Sequence, residues 1–89
     1  MHFVVKQDLI KENPNQESLK PHVDYMYQLI DSGKIIVSGP FADKQRGGMF
    51  ILETESEAEV KQLVEKDPAV IDGILKNEIR AYNLMFLKK

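Results

Sequence analysis

Residues 22–40, from His22 to Pro40, constrain the fold more than any other part of the chain. Val23, Met26, Tyr27 and Ile30 recur at three and four residues, the spacing of one helical face, and Leu19 carries that stripe one turn earlier. Ser32-Gly33 ends the helix, because glycine takes the left-handed C-terminal conformation without a Cβ clash. Ile35-Ile36-Val37 is too short and too β-branched to be a second helix and suits a buried strand. Gly39-Pro40 stops it, since proline has no amide hydrogen for a ladder. A helix, a tight turn and a buried strand in this order require a sheet on which the helix can lie.

The chain has 89 residues, room for a single domain spanning 1–89 and a modest core. A formal charge of −2 and no cluster of lysine or arginine argue against a nucleic-acid surface. Without cysteine there are no disulfides, thiolate nucleophiles or sulfur-ligated metals, a composition that fits a cytoplasmic protein. No apolar run approaches the ~20 residues that span a bilayer. Met1–Val5 reads as a strand and carries no signal-peptide pattern, so no membrane partner is expected.

Phe3-Val4-Val5 opens the first strand, and the polar segment Lys11–Gln16 with its proline reads as a loop. Ser18 is the expected N-cap of the first helix, with Pro21 in its first turn, and the helix runs to about Ser32. Phe41–Gly48 is a turn-rich connection, Gly47-Gly48 included, and Met49–Glu53 is the third strand. Ser56-Glu57-Ala58-Glu59 predicts a capping box, with the Ser56 hydroxyl accepting the Glu59 N–H and the Glu59 carboxylate accepting the Ser56 N–H. Val60, Leu63 and Val64 set the buried face of that helix, and Asp67-Pro68 ends it. Val70–Leu75 is a compact connection around Asp72-Gly73, and Ile79–Leu87 is the expected last strand.

The order strand, helix, strand, strand, helix, strand predicts an α+β fold of the ferredoxin-like βαββαβ type. It has a four-stranded antiparallel sheet with both helices on one face. Strands one, three and four read as apolar on both faces, yet two helices cover only one. A second copy of the sheet is the simplest cover, so a homodimer packed sheet to sheet is expected, with higher oligomers left open.

Three side chains are candidates for chemistry. His22 lies about 90° from the centre of the Val23–Ile30 stripe, on the flank of the helix, where an imidazole can serve as acid or base or simply pack on the surface. Asp67 before Pro68 is a good N-cap, and a carboxylate there can also orient a histidine; the two roles are compatible. Ser38 at the end of the second strand can donate a hydrogen bond to a ligand or be satisfied by backbone. His2 has no second ligand at metal-binding spacing, so neither a metal nor another cofactor is expected.

His22, Gly33, Ser38-Gly39-Pro40, Gly48-Met49, Ser56, Asp67-Pro68, Gly73 and Ile79-Arg80 fall in an order and spacing that resembles the YciI-related family of the dimeric α+β barrel superfamily. The resemblance covers nearly the whole chain. It implies a ferredoxin-like subunit, two of which build a barrel from facing sheets, and a histidine–aspartate pair that falls here on His22 and Asp67. Characterised members of the superfamily include a dehydrochlorinase of a chlorinated hydroxyquinol, lactone isomerases and monooxygenases. The chain departs from the pattern at Leu19-Lys20-Pro21, where relatives often carry arginine before the histidine. The function implied is acid–base catalysis without a cofactor, of the lyase or isomerase kind, on a small cyclic or aromatic molecule. The alternative is a ligand-binding or accessory protein that uses the same cleft without turnover. A cationic clamp would favour the enzyme, and only Lys20 and Arg46 are placed to supply one.

Overall fold

A computed structural model describes residues 1–11, 14–43 and 46–88. Glu12, Asn13, Lys44 and Gln45, which belong to the two expected loops, lie outside the described residues. The elements are β1 (His2–Leu9), α1 (Gln16–Asp31), β2 (Ile35–Pro40), β3 (Gly47–Glu53), α2 (Glu57–Glu65), α3 (Pro68–Ile71) and β4 (Leu75–Tyr82). The four strands form one sheet in the order β2-β3-β1-β4, with every neighbouring pair antiparallel. This is the ferredoxin-like α+β arrangement.

α1 starts earlier than its sequence suggests. Asn15 is the N-cap, and its side chain accepts the Ser18 N–H at 2.7 Å. Ser18 therefore sits in the first turn, and Pro21 falls inside the helix. There it removes the bond its N–H would have given the Glu17 carbonyl. The C-terminus is the expected glycine stop. Gly33 has φ +79°, its N–H bonds to Ile30, and the Lys34 N–H bonds back to Leu29.

The buried face of α1 is rotated by about one residue from the expected stripe. Leu29 is buried, and Leu19, His22, Tyr25 and Met26 are half-buried, whereas Val23, Tyr27 and Ile30 are 45%, 61% and 42% exposed. The two stripes share Leu19 and Met26 and differ by the 100° between neighbours. Counting His22 as polar favours the wrong one. His22 is on the inward face, not the flank, because a buried partner meets it there.

β4 also differs from its expected span. It begins at Leu75 and ends at Tyr82, and residues 83–88 have no regular secondary structure. Its outward side chains are Lys76, Glu78, Arg80 and Tyr82, so the strand is not apolar on both faces. The outward side of β1 likewise carries Lys6 and Asp8. The apolar part of the uncovered sheet face narrows to Val4, Val37, Met49 and Ile51. The capping box at α2 is half formed. The Ser56 hydroxyl accepts the Glu59 N–H at 3.2 Å, but the Glu59 carboxylate pairs with Lys34 at 2.6 Å and accepts the Glu55 N–H at 3.4 Å.

The interior divides into two apolar clusters. The larger holds Phe3, Val5, Leu29, Ile35, Phe50, Leu52, Val60 and Val64. The smaller holds Ala69, Ile74 and Leu75, with Leu9, Leu19 and Val70 packed against it. Three elements, β1, α1 and β4, contribute to both clusters, α2 joins the larger and α3 the smaller, and a polar residue stands at each of these four crossings. On β1 this residue is Gln7, between Val5 and Leu9; on α1 it is His22, between Leu19 and Leu29. Between α2 and α3 it is Asp67, and on β4 it is Asn77, between Leu75 and Ile79.

Candidate functional site

His22 and Asp67, 45 residues apart in sequence, meet in this polar seam. His22 Nδ1 lies 2.9 Å from Asp67 Oδ1 and 2.7 Å from Oδ2. The imidazole is 15% exposed and the carboxylate side chain 2%. Asp67 is held in place by its second role. As the N-cap of α3 it accepts the Ala69 N–H on Oδ1 at 2.9 Å, with Pro68 behind it at the start of the helix. Capping and contact with the histidine thus use one carboxylate. A carboxylate that accepts on both oxygens favours the tautomer with the proton on Nδ1, which makes Nε2 the accepting ring nitrogen.

The cleft beside the ring measures about 370 Å³ and lies between α1 and the ends of β2 and β3. Leu9, Leu19, Met26 and Leu75 give it apolar walls, and Gln7, His22 and Ser38 are its polar side chains. Ser38 reaches it through a β-bulge. Ile35 pairs with Leu52 and Val37 with Ile51, so Ile36 is the extra residue, and the shift turns Ser38 to the helix side opposite Phe50. Gly47 and Gly48 open β3 and are not part of a turn. They also line the cleft, where a Cβ on Gly48 would come 2.7 Å from the Gly39 carbonyl oxygen. Lys20 and Arg46 are exposed, and neither lines the cleft.

Two residues of the site escaped the sequence reading. Gln7 is only 6% exposed, and its Nε2 donates to Asp67 Oδ2 at 3.5 Å, the long end of the hydrogen-bond range. Its signal was available: it alone breaks the run of inward apolar residues Phe3, Val5 and Leu9 on β1. Tyr25 donates its hydroxyl to the Leu63 carbonyl at 2.5 Å. Burial first, and the Asp67 charge second, push its phenol above the ordinary tyrosine value. Among the described residues no group of three or more His, Cys, Asp or Glu gathers at metal-binding distance.

The model of the YCII-related domain matches residues 1–82, which end with β4. The chain belongs to the YCII-related family. A relative within reach of sequence comparison is the uncharacterized protein YjpA of Bacillus subtilis (strain 168), 29% identical over 73 residues, covering 82% of this chain and 85% of that one. Among solved structures, this YCII-related chain is similar to the 5-chloro-2-hydroxyhydroquinone dehydrochlorinase TftG of Burkholderia phenoliruptrix AC1100, in complex with 2,5-dihydroxybenzoquinone. The TM-score is 0.74 at 22% identity, over 93% of this chain and 94% of the other. That likeness establishes a shared fold.

Proposed function

We propose that this YCII-related protein is a small enzyme working without a cofactor, in which His22 moves a proton on a small cyclic or aromatic substrate and Asp67 holds the imidazole. The observation that carries this reading is the contact of His22 Nδ1 with a buried carboxylate beside an apolar-walled cleft. Asp67 keeps the proton on Nδ1, so Nε2 is free to take a proton from the substrate. Returned at another atom, that proton gives an isomerisation; lost with a departing anion, it gives an elimination. Ser38, at the cleft, is positioned to hydrogen-bond a substrate oxygen. The likeness of fold to a dehydrochlorinase supports the lyase form and suggests a chlorinated hydroxyhydroquinone as the first probe.

A specific observation favours a second reading, in which the cleft binds a ligand without turnover: Lys20 and Arg46 do not line it, so neither clamps an anionic substrate there. The two readings separate in one experiment. Chloride release from 5-chloro-2-hydroxyhydroquinone is followed for the parent protein and for His22→Ala, with binding of 2,5-dihydroxybenzoquinone measured by calorimetry. The enzyme reading expects turnover that falls by roughly 10²–10⁴-fold in His22→Ala. Binding with no turnover in the parent supports the second reading.

The functional unit is a homodimer closed over the uncovered sheet face, where Val4, Val37, Met49 and Ile51 supply the apolar patch. Val37→Glu should yield a monomer by light scattering, and a dimer of unaltered mass would place the interface elsewhere. A cytoplasmic location rests on the cysteine-free sequence. No helix of the described residues is long and apolar enough to cross a membrane.

A further inference from the structure

The acid–base scheme uses two of the four polar residues in the seam and leaves the two amides unexplained. Gln7 and Asn77 face each other in the β1–β4 register, on the helix side of the sheet. Cross-strand partners stand about 4.5–5.5 Å apart at Cβ, so two amides lie side by side beneath the helices. An apolar pair would fill such a position without the loss of hydration that buried amides suffer. Their surroundings differ, however. Gln7 bonds Asp67 and lines the cleft beside His22. Asn77 has both side-chain polar atoms buried and unpartnered among the described residues.

The carboxylate of Asp67 is met from three directions. The Ala69 N–H approaches from α3 onto Oδ1, His22 Nδ1 from α1 onto both oxygens, and Gln7 Nε2 from β1 onto Oδ2. The first is a cap bond to Oδ1 and leaves rotation of the carboxylate about that oxygen to be fixed by other contacts. The second belongs to the group being oriented, and a carboxylate that follows the ring cannot fix it. Among the described residues, the Gln7 bond, long at 3.5 Å, is the one that ties Oδ2 to the sheet.

Resting on the acid–base reading of the site, we propose that Gln7 is a positioning residue. It fixes the Asp67 carboxylate from the sheet side and so holds the His22 imidazole as the Nδ1–H tautomer. Gln7 acts through Asp67. Asn77 is an internal control: a buried amide on the same sheet face, directly opposite, without a bond to the carboxylate.

The test is the nitrogen chemical shifts of His22 in the full-length protein, with neutral imidazole and no ligand, for the parent, Gln7→Met and Asn77→Leu. The ratio of Nδ1–H to Nε2–H should fall roughly twofold in Gln7→Met, the effect of a hydrogen bond at the weak end of the ordinary range. It should be unchanged in Asn77→Leu. Gln7→Asn, which keeps an amide but withdraws it from Asp67, should reproduce the fall and covers the case in which Gln7→Met does not fold. An unchanged ratio in the Gln7 variants overturns the proposal, and so does an equal fall in Asn77→Leu, since polarity of the seam would then suffice. The readout needs no substrate. A protein without turnover would contradict the enzyme reading and leave this one standing.

Discussion

The larger apolar cluster and the polar seam beside it are built from the same elements and follow opposite rules. In the cluster, Phe3, Val5, Leu52 and Val60 are almost wholly removed from water, and each inward position of the sheet meets another apolar side chain. In the seam, a few ångströms along the same strands and helices, four polar residues replace apolar ones. Burying Asp67 at 1% exposure costs hydration that its cap bond and its contact with His22 offset, whereas the Asn77 amide, unpartnered among the described residues, opposes folding. A chain of this size has little stability to spare. The cluster is thus the apolar support of the fold, and the seam is where that support is interrupted by polar groups.

That contrast can be broken by substitution. Leu52→Ala in the cluster should cost about 2–5 kcal/mol in urea unfolding, because a fully buried leucine leaves a cavity. A cost below 1 kcal/mol would mean that the cluster is not the main support. In the seam, Asn77→Leu should do the reverse and raise stability by about 1 kcal/mol, as two unpartnered polar atoms are removed at similar volume. A loss of that size would show that the amide is bonded in solution.

Tyr25, whose hydroxyl bonds the chain of α2, probes the seam's charge by pH. Its folded value lies above the ordinary ~10, from burial first and Asp67 second. The stability this contributes is present below pH ~10 and lost as pH rises through the higher folded value. Ultraviolet difference titration should therefore show one delayed phenol, and Asp67→Asn should bring it part of the way back. No movement in that variant would remove the carboxylate as a cause. The smallest effect is expected at Tyr27 on the outer side of α1, where Tyr27→Gln should change stability by less than ~0.5 kcal/mol. A larger loss would show that a second copy covers this stripe.

Element order, the sheet, the glycine stop at Gly33 and the Asp67 cap were legible in the sequence because each rests on local chemistry. The buried face of α1 was not, since a histidine reads as polar until a partner for it is known. Ser38 lines the cleft, but the bulge at Ile36 that turns it there has no signature in Ile35-Ile36-Val37. The last strand was shifted because Met85, Phe86 and Leu87 look like sheet residues, yet they lie beyond Tyr82 and are exposed. Gln7 could have been found by asking why one inward position of β1 is an amide. Asn77, opposite it, has a meaning only once the register is known.

On the acid–base reading, Asp67 holds His22 with its proton on Nδ1 and leaves Nε2 to the cleft. Long-range nitrogen–proton NMR on histidine-labelled protein reads this directly from the neutral ring. In the parent His22 should be mainly the Nδ1–H tautomer with a measurable Nε2–H minority, and in Asp67→Ala, with the fold intact, the balance should move toward Nε2–H. A parent spectrum dominated by the Nε2–H tautomer would contradict it.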